Sequence, residues 1–581
     1  MADSLQHVAR EDLAKRPAYH FTAPWGWIND PCAPGYDAET GLYHLFHQWN
    51  PKGCEWGNMS WGHSVSKDMI TWERSWPEPD KPVLEPSTTY DKEGVFTGCF
   101  WPTGPRGEKG QLTVFYTAVS RLPMHWTLPY IRGMESLAAA VSRDGGESWT
   151  KLAENPILKE EPEGVDVLGW RDPYLASWPE MDRVRGEKAL YGLISGSIKG
   201  KGPNVFLYAV KPDDLTQWTY LYPLLDLPNN FKPSHKWSAD LGCNIECTNF
   251  LSLSSGGRAM QFLVTGAEGG KEQDWIVKDR SPSWPQRTTR WCQWLCGDLE
   301  RDANGKVRFA HTFSGVLDHG VLYAVSTFID PKSGRRIAWG WLPEEDLPTN
   351  MCVAKGWNGC FGVPRELFLY TLKNVTGALS SPLEDVACMK ATQTAEGMYD
   401  LQTLGIRPLS ELYALRGNTL FHGKGLTMPA GGHTVVATLV RSVQCRIKVT
   451  INVRPGSRSA GLLLRHDADM TSCTKVLFVP ESETIAVDRS RSNQDPSVGK
   501  RPHQGPFTLF SQVVQGVEVR EKLDLTIFID GDIVEVFANN RFAMSTMIYS
   551  PPGATGISLI AEGADKSVTF EEVKISDMQI A

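Results

Sequence analysis

The 581-residue chain predicts an all-β protein, a β-propeller of about five blades followed by a β-sandwich. Three observations carry this expectation. All 21 tryptophans lie between Trp25 and Trp357, so the composition steps sharply at about two thirds of the length. Before that step, a turn pattern recurs with a period near 70 residues. After it, short alternating strands with hairpin turns replace the aromatic, Gly- and Pro-rich texture.

The first part is built from short apolar runs such as Gln111-Leu112-Thr113-Val114-Phe115-Tyr116-Thr117. Val65-Ser66-Lys67-Asp68-Met69-Ile70-Thr71-Trp72 is echoed by Val141-Ser142-Arg143-Asp144-Gly145-Gly146-Glu147-Ser148-Trp149. A looser copy is Val210-Lys211-Pro212-Asp213-Asp214-Leu215-Thr216-Gln217-Trp218. The three tryptophans are 77 and 69 residues apart. Such a period is too long for the common helical repeats and suits a four-stranded blade with generous loops. Loops from every blade converge on one mouth, so a propeller should draw its site from widely separated segments. Trp61 and Trp72 are expected in the blade core. In the second part, Leu525-Thr526-Ile527-Phe528-Ile529, Asp530-Gly531 and Asp532-Ile533-Val534-Glu535-Val536-Phe537 read as strand, turn and strand. The expected division is a propeller over 1–370, a linker over 371–400 and a sandwich over 401–581.

Charge narrows the partners. A net charge of -8, a pI near 6.0 and no Lys/Arg run make nucleic acid and anionic membranes poor candidates. No run of 18 apolar residues is present, so no membrane span is expected. The start, Met1-Ala2-Asp3-Ser4-Leu5-Gln6-His7, lacks the features of a signal peptide. Glycosylation acceptors occur only at Asn58-Met59-Ser60 and Asn374-Val375-Thr376. The twelve cysteines are scattered; Cys243/Cys247 and Cys292/Cys296 have neither zinc-ligand spacing nor a paired His motif. Cytoplasmic location is expected, with a secreted mature form as the alternative. No metal or organic cofactor is expected, and the chain is expected to be a monomer or homodimer.

Three carboxylates stand out. Asp30 lies in Trp25-Gly26-Trp27-Ile28-Asn29-Asp30-Pro31, where Pro31 biases it toward extended backbone and the tryptophans offer faces that suit sugar rings. Asp172 lies in Gly169-Trp170-Arg171-Asp172-Pro173, beside a guanidinium. Glu246 is a lone acid in Leu241-Gly242-Cys243-Asn244-Ile245-Glu246-Cys247-Thr248, where desolvation should raise its pKa. Each alone is an ordinary turn, ion pair or buried acid. Together they meet the needs of glycoside cleavage: an ionised nucleophile, a proton-carrying acid/base and a third acid to grip hydroxyls.

Trp27-Ile28-Asn29-Asp30-Pro31, Arg171-Asp172-Pro173 and Glu246-Cys247 resemble the three signatures of glycoside hydrolase family 32, the invertases, inulinases and fructosyltransferases. Val95-Phe96-Thr97-Gly98 resembles that family's Phe-Ser-Gly box, with Thr for Ser. The likeness continues through Gly334-Arg335-Arg336-Ile337-Ala338-Trp339-Gly340-Trp341 and Val363-Pro364-Arg365-Glu366-Leu367, and reaches Ile533-Val534-Glu535-Val536-Phe537. It implies a five-bladed propeller with a β-sandwich and a retaining mechanism on β-fructofuranosides. Asp30 would be the nucleophile, Glu246 the general acid/base and Asp172 the transition-state stabiliser, with Arg171 orienting Asp172 and touching the sugar. Asn29, Gln48, Trp56, Phe96 and Thr97 would line the fructose pocket. Glu268, Asp318 and His319 would contact the next sugar.

The common motif continues Asn-Asp-Pro-Asn-Gly, whereas here Cys32-Ala33-Pro34-Gly35 follow Pro31. Within the resemblance, fungal sucrose-acting enzymes with strong transfer activity share this variant. The expected activity is therefore cleavage of sucrose with substantial transfer to short inulin-type fructooligosaccharides, so sucrose and these oligosaccharides are the expected partners. Plain invertase or inulinase activity is the nearest rival. A fructan-binding lectin and an inverting glycosidase on pentosans are the rivals from other classes.

Overall fold

The structure is a computed structural model describing residues 16–74, 81–270, 290–428, 433–435, 438–453, 457–562 and 568–579. Met1–His7, considered above, lies outside the described residues. Four sheets follow one another, each of consecutive antiparallel strands. The first comprises β1 (Gly26–Asp37), β2 (Leu42–Asn50), β3 (Ser60–Ser66) and β4 (Glu73–Arg74). The second comprises β5 (Gly94–Trp101), β6 (Leu112–Val119), β7 (Glu135–Ser142) and β8 (Thr150–Lys151). The third comprises β9 (Val167–Ser177), β10 (Leu190–Ile198), β11 (Gly202–Lys211) and β12 (Asp214–Pro223). The fourth comprises β13 (Asn244–Ser255), β14 (Arg258–Glu268), β15 (Arg290–Arg301) and β16 (Val307–Asp318). A fifth sheet begins with β17 (Tyr323–Ile329) and β18 (Arg336–Leu342).

The leading strands form a closed circle: β1 touches β5, β5 touches β9, β9 touches β13, β13 touches β17, and β17 returns to β1. This is a β-propeller, and its cores lie between neighbouring sheets. Phe46 and Trp61 pack with Val114 and Tyr116 between the first two sheets. Phe115 meets Trp170 and Trp218 between the next two, and Tyr174 and Trp178 meet Phe250 beyond them. Ile28 and Trp49 meet Ile337 and Trp339 where the circle closes. The closure is stapled by β19 (Trp357–Asn358), which pairs in parallel with Gly26 and Trp27.

The recurring turn is the hairpin between the outer two strands of the first three sheets. Asp68 Oδ1 accepts from the N–H groups of Ile70 and Thr71, Asp144 Oδ1 from Ser148, and Asp214 Oδ1 from Thr216. Each closing tryptophan donates its indole N–H three residues back: Trp72 to Met69, Trp149 to Gly146 and Trp218 to Leu215. The repeat persists because one Asp satisfies the turn's amides while the indole seals its flank. Trp61 is fully buried, as expected, and Trp72 is half-buried against Phe21 and Trp339.

The fifth sheet runs on through the long strand Arg365–Ala378 and its partner Tyr399–Pro408. Beyond them lie a six-stranded and a seven-stranded sheet packed face to face over an aliphatic core that includes Ile447, Leu462, Ile527 and Leu559. This is the C-terminal β-sandwich, and Leu523–Asp530 with Ile533–Ala538 is the hairpin expected from its sequence.

Candidate active site

All five leading strands break their register at the same depth. The shifts fall at Ile28/Pro31 in β1, Val95/Gly98 in β5, opposite Leu193/Ser195 in β9, Glu246/Asn249 in β13 and Tyr323/Ser326 in β17. A bulge inserts an unpaired residue and re-aims its neighbours. Here the bulged segments are Asn29-Asp30, Phe96-Thr97, Asp172-Pro173, Cys247-Thr248 and Ala324-Val325, so every sheet presents side chains to the same mouth. Three bulged residues other than glycine have left-handed backbone: Asp172 (φ 61°), Cys247 (φ 51°) and Ala324 (φ 50°). Such a conformation costs about 1–3 kcal/mol per residue. At Asp172 the strain is set against proline's preference for extended backbone in the preceding residue, and Thr117 Oγ1 secures it by accepting the Asp172 N–H at 2.8 Å. Gly98 is required by contact: a Cβ there would lie 1.8 Å from the Phe115 carbonyl oxygen.

A pocket of about 340 Å³ opens at this mouth, within the range of small-ligand sites. Asp30, Asp172 and Glu246 all line it, together with Asn29, Gln48, Trp56, Phe96, Arg171 and Glu268. Asp30 Oδ1 accepts from Asn29 Nδ2 at 3.0 Å, and its Oδ2 accepts the Thr97 hydroxyl. Thr97 Oγ1 in turn accepts from Gln48 Nε2 at 2.5 Å, so Thr97 acts from behind the carboxylate. Trp27 donates to Asn29 Oδ1 at 3.0 Å. Trp56 is the exposed wall of the pocket, edge-on to Phe96.

Arg171 is the electrostatic centre. Its Nε and Nη2 donate to Glu246 Oε1 at 2.8 and 2.7 Å, and its Nη1 donates to Glu135 Oε1 at 3.0 Å. Nη2 also lies 3.6 Å from Glu268 Oε2. Cys247 links the two aspartates: its N–H donates to Asp172 Oδ2 at 3.1 Å, and its Sγ lies 3.5 Å from Asp30 Oδ2 and 3.6 Å from Asp172 Oδ2.

This crowding separates the acids. Burial raises Asp30, with the Glu246 charge adding to it and the Thr97 and Asn29 bonds opposing. Burial and Glu246 raise Asp172 well above the carboxylate range, against Arg171. Burial and Glu246 raise Glu268 to about 7. Glu246 departs from the sequence expectation. Burial pushes it up, but the charge and hydrogen bonds of Arg171, with a 2.9 Å bond from the Tyr323 hydroxyl, outweigh burial and bring it below its ordinary value. Its uncharged sequence window misled because the deciding cation lies 75 residues away in the chain.

Two expected residues lie elsewhere. Asp318 is buried at the junction with the sandwich, where its Oδ2 accepts from Arg365 Nη1 at 2.9 Å and from the Ser545 hydroxyl at 2.8 Å. His319 stacks on Phe542 at 4.8 Å beside Gly505. They close the outermost strand of the fourth sheet, at the sandwich junction and away from the mouth. Conversely, Tyr323, Arg290, Trp341 and Glu345 line the pocket without having been expected there. Arg290 lies over the rings of Tyr323 (5.3 Å) and Trp341 (4.8 Å) and pairs with Glu345. Tyr323 had a signal: Asp30, Phe96, Asp172, Glu246 and Tyr323 follow one another at 66, 76, 74 and 77 residues, the blade period itself.

Residues 20–380 match the glycosyl hydrolases family 32 N-terminal domain, and residues 411–577 match the glycosyl hydrolases family 32 C-terminal domain. The chain belongs to glycosyl hydrolases family 32. Among solved structures it resembles an Aspergillus kawachii β-fructofuranosidase complexed with glycerol, at 28% identity and TM-score 0.86, covering 97% of this chain and 94% of that one. It also resembles a fructosyltransferase from A. japonicus, at 26% identity and TM-score 0.85, covering 97% and 95%. A rice relative (Oryza sativa subsp. indica), β-fructofuranosidase insoluble isoenzyme 2, is 31% identical over 369 residues, 62% of this chain. That match spans about half, 54%, of the rice protein's length.

Proposed function

We propose that the protein is a retaining β-fructofuranosidase that cleaves sucrose and passes much of the fructose to sugar acceptors, forming short inulin-type fructooligosaccharides. The observation that carries this reading is the meeting of Asp30, Asp172 and Glu246, from three separate sheets, around Arg171 in one pocket. Asp30, held by Thr97 and Asn29, attacks the anomeric carbon. Asp172 grips fructose hydroxyls as positive charge develops on the ring. Glu246 protonates the departing glucose oxygen, then takes a proton from water or a sugar hydroxyl. Asp172, Glu246 and Glu268 interact closely enough to titrate together rather than singly, so the proton Glu246 delivers is one the three acids share. The names of the two Aspergillus neighbours, a β-fructofuranosidase and a fructosyltransferase, support the bond broken more closely than the acceptor.

The five contacting leading strands support a five-bladed count, and we assign the propeller to 1–370, the linker to 371–400 and the sandwich to 401–581. All twelve cysteines are free, and most are buried, which supports a reducing, cytoplasmic location. The experiment is incubation with concentrated sucrose, following free glucose against free fructose. Glucose in excess with trisaccharide appearing is expected; equal amounts would leave a plain invertase. Rapid quenching should show a fructosyl adduct on the peptide holding Asp30, and a first-released α-anomer of fructose would overturn the retaining mechanism.

A further inference from the structure

Glu135, the first residue of β7, is fully buried, and the mechanism above gives it no task. Its two carboxylate oxygens are both engaged on the segment that carries Asp172. Oε2 accepts the Trp170 N–H at 2.7 Å, and Oε1 accepts Arg171 Nη1 at 3.0 Å. Glu246 uses the other edge of the same guanidinium, through Nε and Nη2. A guanidinium is planar and rigid, so an acid fixing one edge fixes the direction of the other. We propose that Glu135 is a positioning residue for proton transfer at Glu246, holding Arg171 from behind and sharing its charge.

The inference rests on the acid/base role of Glu246 proposed above. Glu246 is otherwise faced by Asp30, Asp172, Glu268, Tyr323, Arg290 and His125, and Glu135 by Arg171 and Tyr130. Were Arg171 to face Glu246 without a second anion behind it, Glu246 would be held more firmly ionised and would protonate a leaving group less readily. Removing the Glu135 charge while keeping its shape should therefore slow the cleavage step that needs an acid and spare the one that does not.

The test compares sucrose with 4-nitrophenyl β-fructofuranoside, whose leaving group departs without protonation. Glu135→Gln is expected to lower kcat on sucrose about tenfold, a partial loss of general-acid catalysis, and to leave formation of the fructosyl-enzyme from the nitrophenyl substrate nearly unchanged. The alkaline limb of the sucrose profile should move to lower pH by roughly one unit, since a neighbouring anion has gone. Glu135→Asp keeps the charge, so its limb should stay in place while the sucrose rate falls. Equal loss on both substrates, or no limb shift in E135Q, would overturn the proposal, as would failure of both variants to fold. Glu246→Gln distinguishes the two readings. If it too slows fructosyl-enzyme formation from both substrates alike, the acid/base role of Glu246 falls; if it slows that step for sucrose selectively and E135Q does not, only the role of Glu135 falls.

Discussion

The pocket and the propeller–sandwich junction each bury acids around an arginine, and the two treat their charges in opposite ways. At the junction Arg365 donates to Asp318 at 2.9 Å and to Glu535 at 2.6 Å, while His20 lies between Glu535 and Asp530 at 2.9 Å from each. The backbone N–H groups of Ala18, Tyr19, His20 and Val363 fill further carboxylate lone pairs. Glu535 is consequently held ionised at about 2 and His20 protonated to about 9: burial opposes both charges, but Arg365 and His20 overcome it at Glu535, as do the Asp530 and Glu535 bonds at His20. In the pocket several acids crowd Arg171, and Asp30, Asp172 and Glu268 are all raised. A buried acid with its partners complete stabilises a fold; one with partners too few stays reactive. Substitutions should therefore separate the two regions.

Asp30→Ala should show the largest effect. Sucrose cleavage is expected to fall on the order of 10⁴-fold, as for loss of a nucleophile that acts within a unit. The melting temperature should hold or rise, because one of the crowded acids is gone. Turnover and thermal melting of the same preparation check both halves. A clear fall in melting temperature would mean that the pocket acids support the fold as the junction acids do.

Arg365→Met should give the reverse pattern. It leaves Asp318 and Glu535 buried without their cation, a loss of about 3–5 kcal/mol for a broken buried pair. Urea unfolding measures that loss. Turnover per folded molecule at low temperature should be unchanged, since Arg365 does not line the pocket. A loss of turnover without a loss of stability would make the junction part of the site.

His20 sharpens the comparison through pH. Its folded pKa of about 9 exceeds the ordinary 6.5, so the fold binds the proton more tightly than the unfolded chain. That stability is complete below about 6.5 and is lost as pH rises through 9; it amounts to on the order of 3 kcal/mol. His44, which burial lowers to about 4, has the opposite sign: its contribution is complete above 6.5 and is lost as pH falls toward 4. The difference in unfolding free energy between wild type and His20→Asn should therefore be largest near pH 6 and shrink toward pH 9. A difference that stays constant over that range would show that His20 does not hold its extra proton in the fold.

Much of this was legible because it is local. The Asp-capped turns ending at Trp72, Trp149 and Trp218 satisfy their own amides within a few residues, so the blade period shows in the chain. Asp30, Asp172 and Glu246 lie in short segments whose neighbours aim them. What was illegible depends on partners far along the chain. Arg171 reverses the expected shift of Glu246, Arg290 reaches the pocket over Tyr323 and Trp341, and Asp318 pairs with Arg365 at the junction. The family resemblance puts Asp318 and His319 beside the next sugar, whereas they lie outside the pocket; the blade period, extended one step, points to Tyr323.

Cys32 should show the smallest effect. The thiol departs from the common motif two residues after Asp30, in a variant that the family resemblance ties to strong transfer activity. In the structure Cys32 is wholly buried among Phe46, Trp61 and Val95, and its Sγ donates to the Asp30 carbonyl at 3.4 Å. It does not line the pocket, whereas Met124, His125 and Glu345 do. Those side chains are open to a sugar entering the pocket, and the thiol is not. Cys32→Ala removes one weak sulfur hydrogen bond behind Asp30, so the ratio of transfer to hydrolysis at high sucrose should change by less than about twofold, an energy well below 1 kcal/mol. Replacing Met124 or His125 should move the same ratio further. If Cys32→Ala changes the ratio more than either does, acceptor choice is governed from beneath Asp30 by the backbone that carries it.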